Sequence, residues 1–269
     1  MPLQILDESQ VARVLNLLRE AGDEILRIYH GKDYHIKIKE DDSPVTRADL
    51  ASDRIIKAVL PEITPGIGIF SEETKEIDYN IRSKWDPLWI LDPLDGTKEF
   101  IAGNDEFCIS LALVHEHKPV AGFIYAPVTR ETWLAIKGEG AFKIGEGKKI
   151  RLPFLTPSGA YRINISRSHH SDLEENWINK LKEKHEVVIA IYGSAIKFCK
   201  IAEGICDVYP KFTRIHEWDV AAGHLIIEEA GGVMIERASR LSPVYNKVSY
   251  YQDGFVAFGK RVKNWKELI

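Results

Sequence analysis

Apolar positions near the start of the chain recur every three to four residues. Val11, Val14, Leu15, Leu18, Ala21 and Ile25 share one helical face, which predicts a helix over 9–29. Ile36 and Ile38 alternate with lysines and predict a strand over 34–39, before Ser43-Pro44 breaks the chain. Leu50, Ile55, Ile56 and Val59 predict a second helix over 47–60. Apolar runs of strand length follow at 67–70, 88–91, 109–114 and 120–125, the last two separated by a polar turn. Beyond residue 152 strands alternate with helices: strands at 163–165 and 187–191, helices at 172–184, 195–202 and 218–230, and a terminal strand at 254–259. Ser171 and Glu174 have the spacing of a capping box, and Gly231-Gly232 stops the 218–230 helix. The pattern predicts an α+β first unit over 1–152 joined to an α/β second unit over 153–269, with the break near 151–158.

Composition narrows the function classes. A chain of 269 residues accommodates two such units, and its formal net charge of -4 provides no general field for a nucleic-acid polymer. The lysines at 148–149 and 180–184 lack interleaved aromatics and read as solvated surface. Cys108, Cys199 and Cys206 form no Cys-x-x-Cys pair, which argues against a disulfide framework or zinc knuckle and suits reduced thiols in a cytoplasmic protein. No secretory pattern opens the chain, and no run approaches ~18 apolar residues, so no transmembrane segment is expected.

Three acidic segments stand out. An apolar strand runs into Asp92, and Pro93 and Gly96 turn the chain so that Asp92, Asp95 and the Leu94 carbonyl can face one point. Two carboxylates and a carbonyl are hard oxygen donors of the kind Mg2+ prefers. If a helix begins there, the amides of Gly96 and Thr97 can meet a phosphate. Taken alone, such a turn is commonly just an Asp-Pro turn with solvated acids. Glu72 stands where the 67–70 strand leaves the core, whereas Glu73 reads as a solvent-facing acid. Asp219 opens a helix of small residues, a position that also suits a simple helix cap.

Together, Glu72 and the segments 92–100 and 218–223 resemble, in order and spacing, the three signatures of the inositol monophosphatase superfamily. The similarity extends over roughly residues 41–232. The resemblance implies a layered αβαβα sandwich of the inositol monophosphatase and sugar phosphatase type, and a lithium-sensitive, Mg2+-dependent phosphatase. It further implies that Glu72, Asp92, the Leu94 carbonyl, Asp95 and Asp219 hold two or three Mg2+ ions. Asp49 would pair with Thr97 to orient the attacking water, with Glu72 also serving catalysis. The superfamily often forms homodimers.

Finer features resemble the 3'(2'),5'-bisphosphate nucleotidases of the bacterial CysQ type. These are Gly-Thr-Lys-Glu-Phe at 96–100, the Lys39-x-Asp41-x-Ser-Pro-Val-Thr stretch, Ser166-Arg167-Ser168-His169, Gly193-Ser194-Ala195-Ile196-Lys197-Phe198-Cys199 and Tyr209-Pro210-Lys211-Phe212. On that resemblance Gly96, Thr97, Lys98, Arg167, Ser168, His169, Gly193, Ser194, Lys197 and Lys211 would contact a small phosphorylated substrate, foremost adenosine 3',5'-bisphosphate. Several have ordinary alternatives: Lys197 as a solvated helix residue, His170 as surface, Phe198 as core, Tyr209 and Phe212 as strand-end aromatics or an edge for a purine. Ala195 stands where the pattern has a second serine, and Thr213-Arg214-Ile215 replaces Gly-Pro-Thr, so substrate preference stays open. An inositol or sugar phosphatase, or a binding protein that kept the fold without catalysis, are the competing readings.

Overall fold

The structure, a computed structural model, describes residues 6–32, 34–38, 44–154, 159–168 and 170–269. Helix α1 (Glu8–Gly31) starts one residue earlier than the apolar pattern predicts, because Asp7 and Gln10 form a reciprocal cap. The expected 34–39 strand contracts to β1 (Lys37–Ile38), which pairs with β2 (Pro44–Val45), and both of its residues are exposed. Its alternation therefore has no core face to fill. Lys39 and Asp41 lie outside the described residues. Helix α2 (Arg47–Ile63) is capped by Thr46 and Asp49.

A seven-stranded sheet follows in the order β3 (Gly68–Ser71), β4 (Leu88–Asp95), β5 (Cys108–His115), β6 (Lys118–Ala126), β7 (Glu131–Ile136), β8 (Gly140–Gly145) and β9 (Lys148–Arg151). Only the β3–β4 pair is parallel; every other neighbour is antiparallel. Two short helices, α3 (Tyr79–Arg82) and α4 (Thr97–Ala102), flank β4.

The remaining chain builds a second, five-stranded sheet. It contains β10 (Tyr161–Ser166), β11 (Val187–Tyr192), β12 (Val208–Lys211), β14 (Val233–Glu236) and β16 (Phe255–Phe258), in the order β11-β10-β12-β16-β14. A small two-stranded sheet joins β13 (Ile215–His216) to β15 (Tyr251–Gln252). Three helices accompany these strands: α5 (Asp172–Lys182), with the expected Ser171–Glu174 capping box, α6 (Ile196–Glu203) and α7 (Glu217–Glu229). Among the described residues no helix is long and apolar enough to cross a membrane.

The order of burial reveals five layers. Trp89 and Leu91 of β4 face α1 and α2, with Val14, Leu18, Ile25, Ile56 and Leu60. Leu88 and Ile90 point the other way and join Phe198 of α6 and Leu225 and Ile226 of α7. Tyr209 and Phe255 of the second sheet close that middle layer, while Ile163, Val208 and Phe258 face Ile178 and Leu181 of α5. Strands buried on both faces lose the polar alternation of a surface strand, which is why β4 and β5 read as continuous apolar runs. The architecture is the αβαβα sandwich.

The middle layer is unusually close. A Cβ built on Gly122 of β6 would lie 2.8 Å from the Ala222 carbonyl oxygen of α7, and one on Gly223 would lie 2.3 Å from Phe198 Cγ. Helix α7 thus rests backbone-to-backbone on the first sheet. Gly122→Ala is expected to lower the unfolding free energy by about 1–3 kcal/mol, since the obstructing atom is main chain and cannot rotate away. Gly31→Ala, where an added Cβ meets nothing within 4 Å, serves as the control in urea denaturation; equal stability of the two variants would refute the close-packing argument.

Candidate active site

Strand β4 delivers the first acids. Its pairing with β5 shifts register between Asp92 and Asp95, so the chain bulges there. The Leu94 amide donates to Asp92 Oδ1 at 3.0 Å. Gly96 follows at φ +92°, a left-handed conformation that favours glycine, and α4 begins at Thr97. The third acid arrives from the opposite side: the His216 amide donates to Asp219 Oδ2 at 3.0 Å in the first turn of α7. Oxygens of Asp92, Asp95 and Asp219 lie within 4.8 Å of one another. The Ala195 amide donates to Asp95 Oδ2. Each of the three carboxylates therefore accepts a main-chain amide from a different place in the chain.

These amides fix the acids without neutralising them. Burial, then the charges of Glu72, Asp95 and Asp219, push Asp92 well above the usual carboxylate range. Burial and then Asp219 raise Asp95 to about 8, against the opposing pull of Lys197. Like charges gathered out of water favour protonation until a cation joins them. A compact set of hard oxygens in electrostatic conflict fits a divalent ion such as Mg2+.

Beside Asp92 and Asp95, Thr97 Oγ1 lies 3.0 Å from Asp49 Oδ1 and 3.3 Å from the Leu94 carbonyl oxygen. The other oxygen of Asp49 accepts from the Thr46 amide and hydroxyl at 2.8 and 2.6 Å. Burial raises Asp49 to about 6, although the Thr46 bonds work against that shift.

The acids open on a cavity of about 420 Å³. Of the sequence-predicted residues, Glu72, Asp92, Leu94, Asp95, Gly96, Thr97, Lys98, Ser194, Lys197, Lys211 and Asp219 line it. Asp49 stands behind Thr97 as its hydrogen-bond partner, and Glu73 is not among the lining residues. Lys197 is 6% exposed, so the solvated-helix alternative fails; its Nζ donates to the Ser194 carbonyl at 2.6 Å. Phe198 is buried and also reaches the cavity, as does Tyr209. The Cys108 thiol lies 3.9 Å from Asp95 Oδ2, and burial pushes it well up, so it stays a neutral packing group.

Arg167, Ser168 and Gly193 are not brought to the cavity wall. Arg167 forks onto Glu106 with two bonds of 2.9 Å, and Glu106 also accepts the Gly193 amide at 2.7 Å. Ser168 donates to Glu99 at 2.5 Å. His169 lies outside the described residues. Sequence reasoning missed Glu99, Glu106 and His216. Glu99 is nearly buried and lines the cavity, and His216 stacks on Trp218 at 4.5 Å. The local signals were Glu99 itself within Gly-Thr-Lys-Glu-Phe and His216 two residues before Trp218; Glu106 meets Arg167 and Gly193 across the fold.

The family model described as Inositol monophosphatase family matches residues 7–266. The 3'(2'),5'-bisphosphate nucleotidase CysQ of Salmonella typhimurium is 38% identical over 246 residues, 90% of this chain and 97% of that protein. CysQ of Escherichia coli strain K12 is 36% identical over 246 residues, with 90% and 97% covered. Among solved structures, CysQ from Bacteroides thetaiotaomicron superposes with a TM-score of 0.85 at 38% identity, covering 94% of this chain and 97% of that one. An IMPase from Thermotoga maritima gives a TM-score of 0.76 at 27% identity, covering 97% and 95%.

The raised carboxyls set a pH dependence. Asp49 and Asp95 hold protons in the folded state up to about 6 and about 8, against 3.8 as the ordinary value. The metal-free folded protein thus binds more protons than the unfolded chain, and their contribution to its stability falls as pH rises through that window. Mg2+ titrated near neutral pH should release protons, seen as a binding heat that changes with the buffer's ionisation enthalpy. A heat independent of buffer would show that these acids are already ionised.

Proposed function

This chain belongs to the inositol monophosphatase family, and we propose that it hydrolyses adenosine 3',5'-bisphosphate to AMP and inorganic phosphate in the presence of Mg2+. The observation that carries this reading is the union, in one cavity, of an acid trio with two nearly buried lysines, Lys197 and Lys211. One phosphate of such a substrate belongs at the acids with their metal, and the other beside the ammonium groups. The kinship with CysQ proteins over nine-tenths of the chain supports the nucleotide over an inositol or sugar phosphate.

Glu72, Asp92, the Leu94 carbonyl, Asp95 and Asp219 would hold two or three ions. Bound there, Mg2+ supplies charge neutralisation of the phosphoryl group and makes water a better nucleophile near neutral pH. The chain's own part is positioning and proton handling. Thr97 donates its hydroxyl proton to Asp49, which leaves lone pairs on Oγ1 to accept from the attacking water. With Asp49 raised to about 6, it can take up the hydroxyl proton as Oγ1 receives one from the water, without an extreme change in acidity. Thr46 keeps the Asp49 carboxylate facing Thr97 through its two bonds to the other oxygen. Gly96 and Thr97 line the cavity at the start of α4, where first-turn amides suit a phosphate oxygen. No nucleophilic side chain is required, so the buried cysteines stay outside the reaction.

Phosphate release from adenosine 3',5'-bisphosphate, compared with inositol 1-phosphate and fructose 1,6-bisphosphate, each with Mg2+ and with EDTA, tests the reading. A Mg2+-dependent preference for the nucleotide is expected, along with inhibition by lithium. Preference for another substrate would overturn the nucleotide assignment, and no turnover at all would favour a binding protein. Asp95→Asn should lose at least about 100-fold in activity with its fold intact, since changing even a ligand's hydrogen-bond partner typically costs 10–100-fold. Glu72→Gln should cost far more than Glu73→Gln; equal losses would mean that Glu73 shares the metal site.

A further inference from the structure

The metal-ligand segments come from distant parts of the chain, and one buried arginine ties two of them together. Arg82, at the end of α3, is 2% exposed. Its Nη1 donates to Asn246 Oδ1 at 2.8 Å, and its Nη2 to the carbonyls of Lys247 and Val248 at 2.6 and 3.0 Å. Asn246 returns a bond from Nδ2 to the Arg82 carbonyl at 3.1 Å. The guanidinium also lies 4.7 Å over the ring of Phe70, two residues before Glu72.

The segment that Arg82 grips is the one that holds the start of α7. Glu217, fully buried and two residues before Asp219, accepts the amides of Asn246 and Lys247 at 2.7 and 3.3 Å. Phe70 meets Trp218 edge-on with ring centroids 5.6 Å apart. A continuous set of contacts therefore runs from the β3 end, through Arg82 and residues 246–248, to the first turn of α7.

We infer that Arg82 is a positioning residue that holds the segments carrying Glu72 and Asp219 at the spacing the metal cluster needs. This rests on the proposed metal site. The guanidinium is suited to the role because one planar group serves three acceptors while stacking on an aromatic ring; a lysine at this place keeps the charge but cannot reproduce the fork. Asp92 and Asp95, held by their own amides, do not depend on it. Loss of Arg82 should therefore weaken metal binding rather than abolish the chemistry.

The test is calorimetric titration of the folded protein with Mg2+ alone, for wild type, Arg82→Lys, Asn246→Ser and Arg261→Lys. Arg261 is a control of the same kind: its fork joins Asp207 and the Ala160 carbonyl, and neither belongs to a ligand segment. Arg82→Lys is expected to raise the Mg2+ dissociation constant about 10-fold, the usual scale for support behind a metal ligand. Asn246→Ser should shift it in the same direction by less, and Arg261→Lys should leave it unchanged even where its melting temperature falls. Activity of Arg82→Lys should recover most of its kcat at saturating Mg2+. Wild-type affinity in Arg82→Lys and Asn246→Ser, or an equal shift in Arg261→Lys, would overturn the inference while leaving the metal site standing. Should Arg82→Lys fail to fold, Asn246→Ser against Arg261→Lys decides. Absence of Mg2+ binding in wild type would overturn both.

Discussion

Three carboxylates within 4.8 Å of one another, taken largely out of water, repel each other, and the rest of the molecule is arranged around holding them there. The means is backbone. Asp92, Asp95 and Asp219 each accept an amide, from Leu94, Ala195 and His216 respectively. An amide orients a carboxylate and lowers the cost of its charge, but it carries no net charge of its own. The conflict is eased without being cancelled, and what remains unsatisfied is a demand for positive charge. That is the electrostatic character of a site for a cation.

Such a device needs its three amides in register to a fraction of an ångström, although they come from the bulge in β4, the turn before α6 and the start of α7. Rigidity between layers supplies this. Gly122 and Gly223 let α7 approach both the first sheet and Phe198 at backbone distance. A fully buried Glu203 on α6 joins Trp133 and Lys143 of the first sheet to Lys200, with bonds of 2.9 to 3.1 Å. Gly193 passes against Glu99, where an added Cβ would come within 2.5 Å of Glu99 Cγ. Ser194 follows at φ +46°, a backbone conformation sparsely populated by residues with a side chain. The strained turn is what presents the Ala195 amide to Asp95. It explains why alanine serves at that position: its contribution is main chain, and the hydroxyl of the family pattern is not needed for it.

Much of this was legible in the chain. Helical faces and apolar runs predicted α1, α2, β4 to β6, α5 and α7 closely, since each buries a continuous stripe or two full faces. The strands β7 to β9 were not foreseen: none alternates buried with exposed positions, Gly140 and Gly145 bound β8, and β9 is the charged 148–151 stretch. The predicted 34–39 strand shrank because alternation alone does not supply a face to cover. At the site, residues close in sequence to the acids were readable: Asp92, Leu94, Asp95, Gly96 and Thr97 share one turn. Residues whose role depends on a distant partner were not. Nothing near Arg167 announces Glu106, 61 positions earlier, and nothing near Arg82 announces Asn246, 164 positions later.

The cations around the cavity make the same point about substrate choice. Arg167, a substrate contact on the sequence resemblance, and Arg214, at the cavity wall, are both engaged in exposed ion pairs, with Glu106 and Asp253. An ion pair in water contributes little to stability, so a phosphate could displace either partner at small cost, but neither arginine is pre-organised for it. Lys197 and Lys211 differ. Burial lowers the pKa of both, which means that the cavity holds their charge against a desolvation penalty. A buried ammonium at a cavity wall becomes more favourable once a further anion enters, because the low local dielectric that penalises its charge also strengthens the pair. On the proposed reading, the acids and their metal would take the phosphate to be cleaved, and these lysines would favour a substrate bringing a second anionic group. A monophosphate brings them no second anion, and discrimination between mono- and bisphosphorylated substrates would then arise from the two lysines rather than from the carboxylates.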